Sequence, residues 1–243
     1  GLLAAAAVTP GRALAAAGAA LAVWVIAGTL AEAAERVRLF RAPWAETRRR
    51  AAGLPRNAWG MSLAHLGVGV FVLGACLEGA GKREAVGVLA PGGSLRLGGY
   101  MLSLEAVRAG EGANYLAERA SIAVARDGRT VCRAFPERRL YPASSQTTSE
   151  VALCAQGPSD IYLVLGERRT GPDGTPAGWL VRAYFNPFAK LIFAGPLLIA
   201  LGALLSLSGL RRSLSLRRAK LGPYERPAPV GAPPLQPQLE PAE

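Results

Sequence analysis

The sequence predicts an α-helical membrane protein with an inserted antiparallel β-domain, either a sandwich or a small barrel. Two observations lead to this fold class. Hydrophobic residues make up 51% of the 243 residues, and many of them cluster into three long blocks. The stretch 78–187, in contrast, alternates short apolar runs with glycine and proline turns. Long apolar blocks are typical of membrane-spanning helices, and short runs between turn residues are typical of antiparallel sheets.

The three apolar blocks, 13–30, 59–77 and 191–207, each approach the ~20 residues that a ~30 Å hydrocarbon core requires. The first is rich in alanine, which contributes little transfer energy, so a buried or interfacial helix is an alternative there. The second contains the only histidine, and the third contains no charged residue. We therefore predict membrane-spanning helices in 1–30, 59–77 and 188–210, and the first is expected to end a larger upstream bundle.

The basic residues predict how these helices are oriented. Much of the net charge of +11 comes from arginines in the loop 31–58 and after the third block, which does not indicate nucleic-acid binding. Short cytoplasmic loops carry an excess of Lys and Arg, so both segments are expected in the cytoplasm and 78–187 in the periplasm. The loop itself fits either a membrane-surface element or a solvated connection. We expect a multi-pass membrane protein whose cytoplasmic C-terminus is a basic, proline-rich disordered tail at 211–243.

The segment 78–187 carries several strand and turn signals. Asp127 and Gly128 separate two alternating runs, and an Asp-Gly pair in that position is a strong signal for a β-hairpin. The run 94–107 alternates around a pair of glycines that marks a turn or a bulge. Further strands are expected at 151–154, 160–166 and 178–185.

The three cysteines do not lie in a CxxC or metal-ligand spacing. Cys132 and Cys154 fall in the segment assigned to the oxidising periplasm, where they form either a disulfide or two buried thiols. The sequence also lacks a glycine-rich phosphate loop, a Ser/His/Asp set and a cysteine-histidine cluster. The motifs therefore assign no catalytic residue.

His65 is the strongest candidate for a functional residue. It lies six residues, or ~9 Å along a helix, from Trp59, which places it at hydrocarbon depth. An ionisable side chain at that depth usually faces protein, water or a cofactor. Three interpretations remain open: a histidine hydrogen-bonded to another helix, a proton relay in a transporter, or an axial haem ligand. A bis-histidine haem site would need a second imidazole from outside this chain.

Small residues surround this histidine on its predicted helix. A small face, which admits either a neighbouring helix or a flat ligand, is formed by Gly60, Ala64, Gly67 and Gly74. Gly69 lies one turn from His65 and is expected to leave a gap above the imidazole ring.

Several motifs, in matching order, resemble the CcmF family, the haem lyase subunit of cytochrome c maturation. The resemblance covers roughly residues 51–212 and is carried by the motifs at 60–71, 98–100, 112–119, 126–128, 135–142, 160–167 and 181–188. The chain is thus identified as a C-terminal portion of a CcmF-like protein. It also resembles the related subunit of nitrite-reductase cytochrome assembly.

The resemblance implies a function for the chain. Family members are multi-pass proteins of the bacterial inner membrane, so the same location is expected here. They take haem from a haem chaperone and attach it covalently to apocytochrome c, and they hold a haem b between two membrane histidines. His65 matches one of those two ligand positions, so it would be the cofactor-binding and metal-ligating residue. The second ligand and the histidines that hold the substrate haem are expected upstream, and this portion alone is expected to lack lyase activity. A non-enzymatic, membrane-anchored scaffold that binds partners of an envelope complex is the alternative, and a transporter half is a third.

Overall fold

The computed structural model of the chain describes residues 10–221 and consists of long helices joined to a β-domain. The helices are α1 (Pro10–Val37), α2 (Trp44–Gly53), α3 (Arg56–Gly81) and α4 (Ala189–Leu221). Three stretches within the described residues are long and apolar enough to cross a membrane: Ala13–Val37, Arg56–Gly81 and Ala189–Gly209. The predicted fold class, a helical membrane protein with an inserted β-domain, is confirmed.

The segment 31–58, expected as a loop, is mostly helical. α1 continues through it to Val37, α2 lies within it, and α3 begins before it ends. The segment is rich in Ala, Glu and Arg, which are strong helix formers, and this local preference outweighs its polarity. Pro43 and Pro55 adopt extended backbone at the N-caps of α2 and α3, where the missing proline N–H breaks no helical hydrogen bond.

α4 also exceeds its expected length. It continues to Leu221, into the segment expected to be a disordered tail, because residues 211–221 contain neither glycine nor proline and are mainly Leu, Arg, Ala and Lys. The remainder of the predicted tail, 222–243, and the first nine residues of the predicted segment 1–30 lie outside the described residues.

α3 packs against α4 through the small face predicted for it. A Cβ atom added at Gly67 would lie 2.7 Å from the carbonyl oxygen of Gly195, and one added at Gly202 would lie 2.6 Å from the backbone nitrogen of Ala64. Glycines on both helices therefore let the two backbones approach closely, as small residues commonly do between membrane helices. A helix, and not a flat ligand, occupies this face.

The β-domain is a sandwich of two antiparallel sheets. One sheet has the strand order β1-β10-β9-β8; the other has the order β2-β3-β4-β6-β7, and β5 pairs with β4. The strands are β1 (Arg83–Leu89), β2 (Ser94–Leu97), β3 (Tyr100–Glu111), β4 (Leu116–Arg126), β5 (Arg129–Ala134), β6 (Glu137–Tyr141), β7 (Gln146–Glu150), β8 (Ala152–Gln156), β9 (Ser159–Thr170) and β10 (Pro176–Asn186). Inward side chains from both sheets form one core, which includes Leu102, Leu104, Ile122, Leu163, Leu165 and Val181.

The predicted hairpin turn joins β4 to β5. Asp127 and Gly128 have φ values of 50° and 75°, the left-handed backbone that a two-residue turn of this kind requires at both positions. The glycine pair between β2 and β3 also forms a turn, with Gly98 at φ 59°. Three strands were missed by sequence reasoning: β1, β6 and β7. The last two are short and polar, so they lack the alternation by which strands are recognised.

Cys132 and Cys154 form a disulfide that joins β5 of one sheet to β8 of the other, with their Cα atoms 6.3 Å apart. Of the two alternatives left open by the sequence, the structure therefore contains the disulfide. Cys154 is only 2% exposed, so the bond lies inside the sandwich core.

Polar contacts hold the outer face of the second sheet. The Glu105 carboxylate accepts hydrogen bonds from the Ser121 hydroxyl at 2.8 Å and from the Arg133 guanidinium at 3.2 Å. Both hydrogen bonds lower the pKa of the Glu105 carboxyl below its ordinary value, and the bond from Ser121 has the larger effect. This carboxylate therefore links β3, β4 and β5 on the exposed side of the sheet.

Hydrogen bonds and an ion pair connect the β-domain to the start of α4. The backbone N–H of Phe188 donates to the Ser159 hydroxyl oxygen at 3.1 Å, and the Lys190 ammonium donates to the carbonyl of Gly157 at 2.6 Å. Lys190 also lies 3.5 Å from the carboxylate of Asp160. These contacts tie the β8–β9 turn to the helix, so the sandwich has a defined position above the membrane-spanning helices.

Candidate functional site

His65 lies on the exposed side of α3, one turn after Met61. Its Nδ1 is 2.8 Å from the carbonyl oxygen of Met61. A carbonyl oxygen can only accept a hydrogen bond, so Nδ1 must carry the proton and donate it. In the neutral ring, the second nitrogen, Nε2, is then the unprotonated one and presents a lone pair.

The imidazole lines a groove of about 390 Å³ between α1 and α3. The α1 wall includes Trp24, Thr29 and Glu32, and the α3 wall includes Met61 beside the histidine. Two of the polar wall residues are already engaged within α1, because Thr29 Oγ1 donates to the carbonyl of Val25 and Glu32 pairs with Arg36. The groove therefore offers an imidazole nitrogen among largely apolar neighbours.

The gap expected beside Gly69 is absent, since the side chain of Ile26 from α1 fills the space. A Cβ atom added at Gly69 would lie 2.5 Å from Ile26 Cγ1 and 3.2 Å from the carbonyl oxygen of Ala22. Gly69 thus serves the contact between α1 and α3. The open space beside the imidazole is instead the groove that it shares with Trp24, whose side chain is 72% exposed.

Apolar side chains around His65 extend this face of the helix pair. Met61 and Val68, which lie one turn from His65 on either side along α3, are each 44% exposed. Within the described residues, no group of three or more His, Cys, Asp or Glu side chains could hold a metal ion. The candidate site in the described residues therefore consists of one imidazole, which can supply one ligand to a metal or accept one proton.

The β-domain identifies the family to which this arrangement belongs. Residues 80–187 match the family model described as the CcmF C-terminal beta-sandwich. The chain belongs to the CcmF family. The match begins at the end of α3 and stops just before α4, so it covers the whole sandwich and no membrane-spanning helix.

Relatives extend the similarity to the helices. The cytochrome c-type biogenesis protein CycK of Bradyrhizobium diazoefficiens is 36% identical over 233 residues, which is 96% of this chain and 33% of the relative. The cytochrome c-type biogenesis protein CcmF of Pseudomonas aeruginosa is 35% identical over 156 residues, covering 64% of this chain and 23% of the relative. The chain spans about a third or less of the length of these relatives, and it corresponds to their C-terminal portion.

A solved structure shares the fold of this chain. The cytochrome c heme lyase CcmF superimposes with a TM-score of 0.58 at 20% sequence identity, covering 79% of this chain and 30% of that protein. At this identity the likeness concerns the fold: apolar helices that carry an inserted β-sandwich.

Sequence reasoning found the histidine and its neighbours Met61 and Ser62 on the same helix, but it missed the α1 side of the groove. The pattern of α3 alone identified His65, whereas Trp24, Thr29 and Glu32 belong to α1 and reach the groove only through helix packing. A weak signal existed, because these three residues lie on one side of an otherwise alanine-rich helix.

Proposed function

We propose that this CcmF portion serves cytochrome c maturation as part of a haem lyase, and that His65 is an axial ligand of a membrane haem b. The supporting observation is the hydrogen bond from His65 Nδ1 to the Met61 carbonyl. Metal-ligating histidines almost always donate their second ring nitrogen to such an acceptor, which fixes the tautomer and directs the other nitrogen to the metal.

The residues around His65 fit one side of a haem. Nε2 is the unprotonated nitrogen that iron requires, and the groove beside it is lined mainly by apolar groups. A bound haem would supply a redox-active iron within the membrane. Met61 would keep the imidazole oriented, and the side chains of Trp24 and Val25 would limit the access of water. Because His65 is the only histidine of the chain, a second imidazole would come from outside it.

The orientation proposed for the chain places the β-sandwich in the periplasm and the segment after α4 in the cytoplasm. Charge supports it, because the arginines around α2 precede the N-terminus of α3, and those in 211–218 follow Gly209, which lies against Arg56 and Asn57 at that same end of α3. Phe40 and Trp44 are 95% and 69% exposed beside these arginines, as expected for an element at the headgroup level.

Haem attachment would require more than this chain contains. The histidine site offers one imidazole, and the sequence contains no second histidine. We therefore propose that this portion supplies a ligand and a periplasmic domain to the lyase, whose partners are the haem chaperone, apocytochrome c and other maturation subunits.

The test is the visible spectrum of the full-length protein purified from membranes. His65→Ala should remove the low-spin α band of the reduced haem, whereas the matched variant Ser62→Ala, from the same groove, should retain it. Haem content per protein, measured by extraction, gives a second readout that does not depend on lyase activity. An unchanged spectrum and haem content in His65→Ala would remove the ligand assignment.

A further inference from the structure

The outer face of the sheet β1-β10-β9-β8 is more apolar than an exposed face of a sandwich should be. Arg182 of β10 stands between Val86 of β1 and Val164 of β9 in the strand register. The neighbouring row places Tyr184 directly opposite Tyr162, with ring centroids 5.9 Å apart. We call the surface formed by these five side chains the Arg182 face.

The opposite sheet shows what a solvated face of this domain looks like. Its corresponding outward row consists of Ser94, Ser103, Ala123 and Arg133. The outward positions of that row are small or polar, which is the usual alternation for a half-buried antiparallel sheet. On the Arg182 face, Val86 is 48% exposed instead. These two rows therefore differ in what they are suited to contact.

Charges of both signs surround the Arg182 face, including Glu84 beside Tyr184, but Arg182 itself is not ion-paired within residues 10–221. A groove of about 810 Å³ runs along this face, lined by the cations Lys82, Arg138, Arg169 and Arg182 and by a single carboxylate, that of Glu167. The first three cations have ion-pair partners between 3.6 and 3.8 Å away. Arg182 has none among the described residues, although apolar and aromatic side chains surround it.

An arginine among valines and tyrosines matches the centre of a protein interface. Arg and Tyr are enriched at binding hot spots, where neighbouring apolar groups exclude water from the contact. Permanent interfaces are more hydrophobic and contain fewer charged residues, whereas interfaces between proteins that also exist apart retain charged residues. The guanidinium of Arg182, which is unpaired in the described part of the chain, lies at the centre of this face and favours the second class.

We propose that the Arg182 face docks a separate protein that presents a carboxylate to Arg182, flanked by apolar side chains that cover Val86 and Val164. The groove measures about 20 Å from Leu180 to Asn186 at ~3.3 Å per residue, so it accommodates about six residues of an extended, acidic segment. This inference goes beyond the proposed function and does not depend on haem binding at His65.

The first experiment maps what touches this face in the full-length protein in native membranes. A photoreactive p-benzoylphenylalanine replaces Val86, and the adducts formed under light are identified by mass spectrometry. We expect an adduct with a peptide of a separate protein that contains Asp or Glu near the cross-linked position. An adduct only with the same polypeptide, an adduct only with lipid, or no adduct would overturn the proposal.

The second experiment tests the role of the charge in the same cross-linking assay. Arg182→Glu should reduce the adduct about 30-fold or more, because it sets two like charges against each other in a desolvated contact. Arg129→Glu, an equal charge reversal beside the β4–β5 turn, should leave the yield unchanged. Replacing the identified carboxylate of the partner by lysine should restore the adduct of the Arg182→Glu protein.

Folding and haem binding serve as independent controls. Protease resistance of the β-domain and the haem spectrum should be equal in the wild type, Arg182→Glu and Arg129→Glu. An adduct that persists in a folded Arg182→Glu protein, or a failure of the charge swap to restore it, would overturn the proposal. Loss of the haem band in His65→Ala, or its retention, would leave this cross-linking result unchanged.

Discussion

Replacing Cys132 and Cys154 together by alanine removes a covalent link between the two sheets of the sandwich. The cysteines are 22 positions apart in the chain. A disulfide that closes a loop of that length lowers the conformational entropy of the unfolded chain. This loss stabilises the folded domain by about 3.4 kcal/mol at 25 °C. For a domain the size of residues 80–187, losing this contribution lowers the melting temperature by about 15 °C.

The assay is the loss of protease resistance of the β-domain with rising temperature, measured on the full-length protein in detergent. The control is Cys76→Ala, because Cys76 is a free cysteine outside the sandwich. A non-reducing gel of the wild type, before and after treatment with a reductant, establishes that the link is present. A double variant that melts within about 3 °C of the wild type would refute the reasoning that the link constrains the unfolded chain.

Three further outcomes are expected. A reporter that is active only in the periplasm should be active when fused after Gly128 and silent when fused after Lys220; the opposite pattern would reverse the proposed orientation. Gly67→Ala should weaken the contact between α3 and α4 and lower thermal stability, because its Cβ would meet the α4 backbone, whereas Gly79→Ala, where nothing lies within 4 Å, should have no such effect; equal stabilities would contradict this packing. Glu105→Gln should lower the melting temperature at neutral pH. The difference from the wild type should shrink as the pH falls below the ordinary glutamate pKa of about 4.3, since a carboxylate with a lowered pKa loses its stabilising contribution as the pH falls through that lowered pKa. A difference that does not shrink at all as the pH is lowered through this range would assign the effect to something other than the ionised carboxylate.

The helix packing shows why part of the site could not be read from the chain. The glycines of α3 indicated a close approach of something to that helix, but spacing alone left open whether it was a helix or a flat ligand. Packing resolves this, because the backbone of α4 lies against Gly67 and the side chain of Ile26 lies against Gly69. Which neighbour meets which glycine depends on the positions of three helices relative to one another.

The fate of Lys190 illustrates the same limit in the β-domain. From sequence, a lysine just outside an apolar block is expected to extend toward the headgroups. In the folded chain its ammonium also donates to the carbonyl of Gly157 and pairs with Asp160, which the sequence did not indicate. A turn more than thirty residues away in sequence provides these partners, and only the folded sandwich brings it to the helix.

The sequence by itself determined the fold class, the approximate positions of the apolar helices and the Asp127-Gly128 hairpin, and it singled out His65 as a candidate, because each rests on local composition or short-range periodicity. Only the tertiary structure decided that the cysteines bond, that the groove at His65 is built by α1, and that Arg182 stands among residues of neighbouring strands. Those features join residues far apart in the chain, and their proximity follows from how apolar faces pack together, which no local pattern specifies.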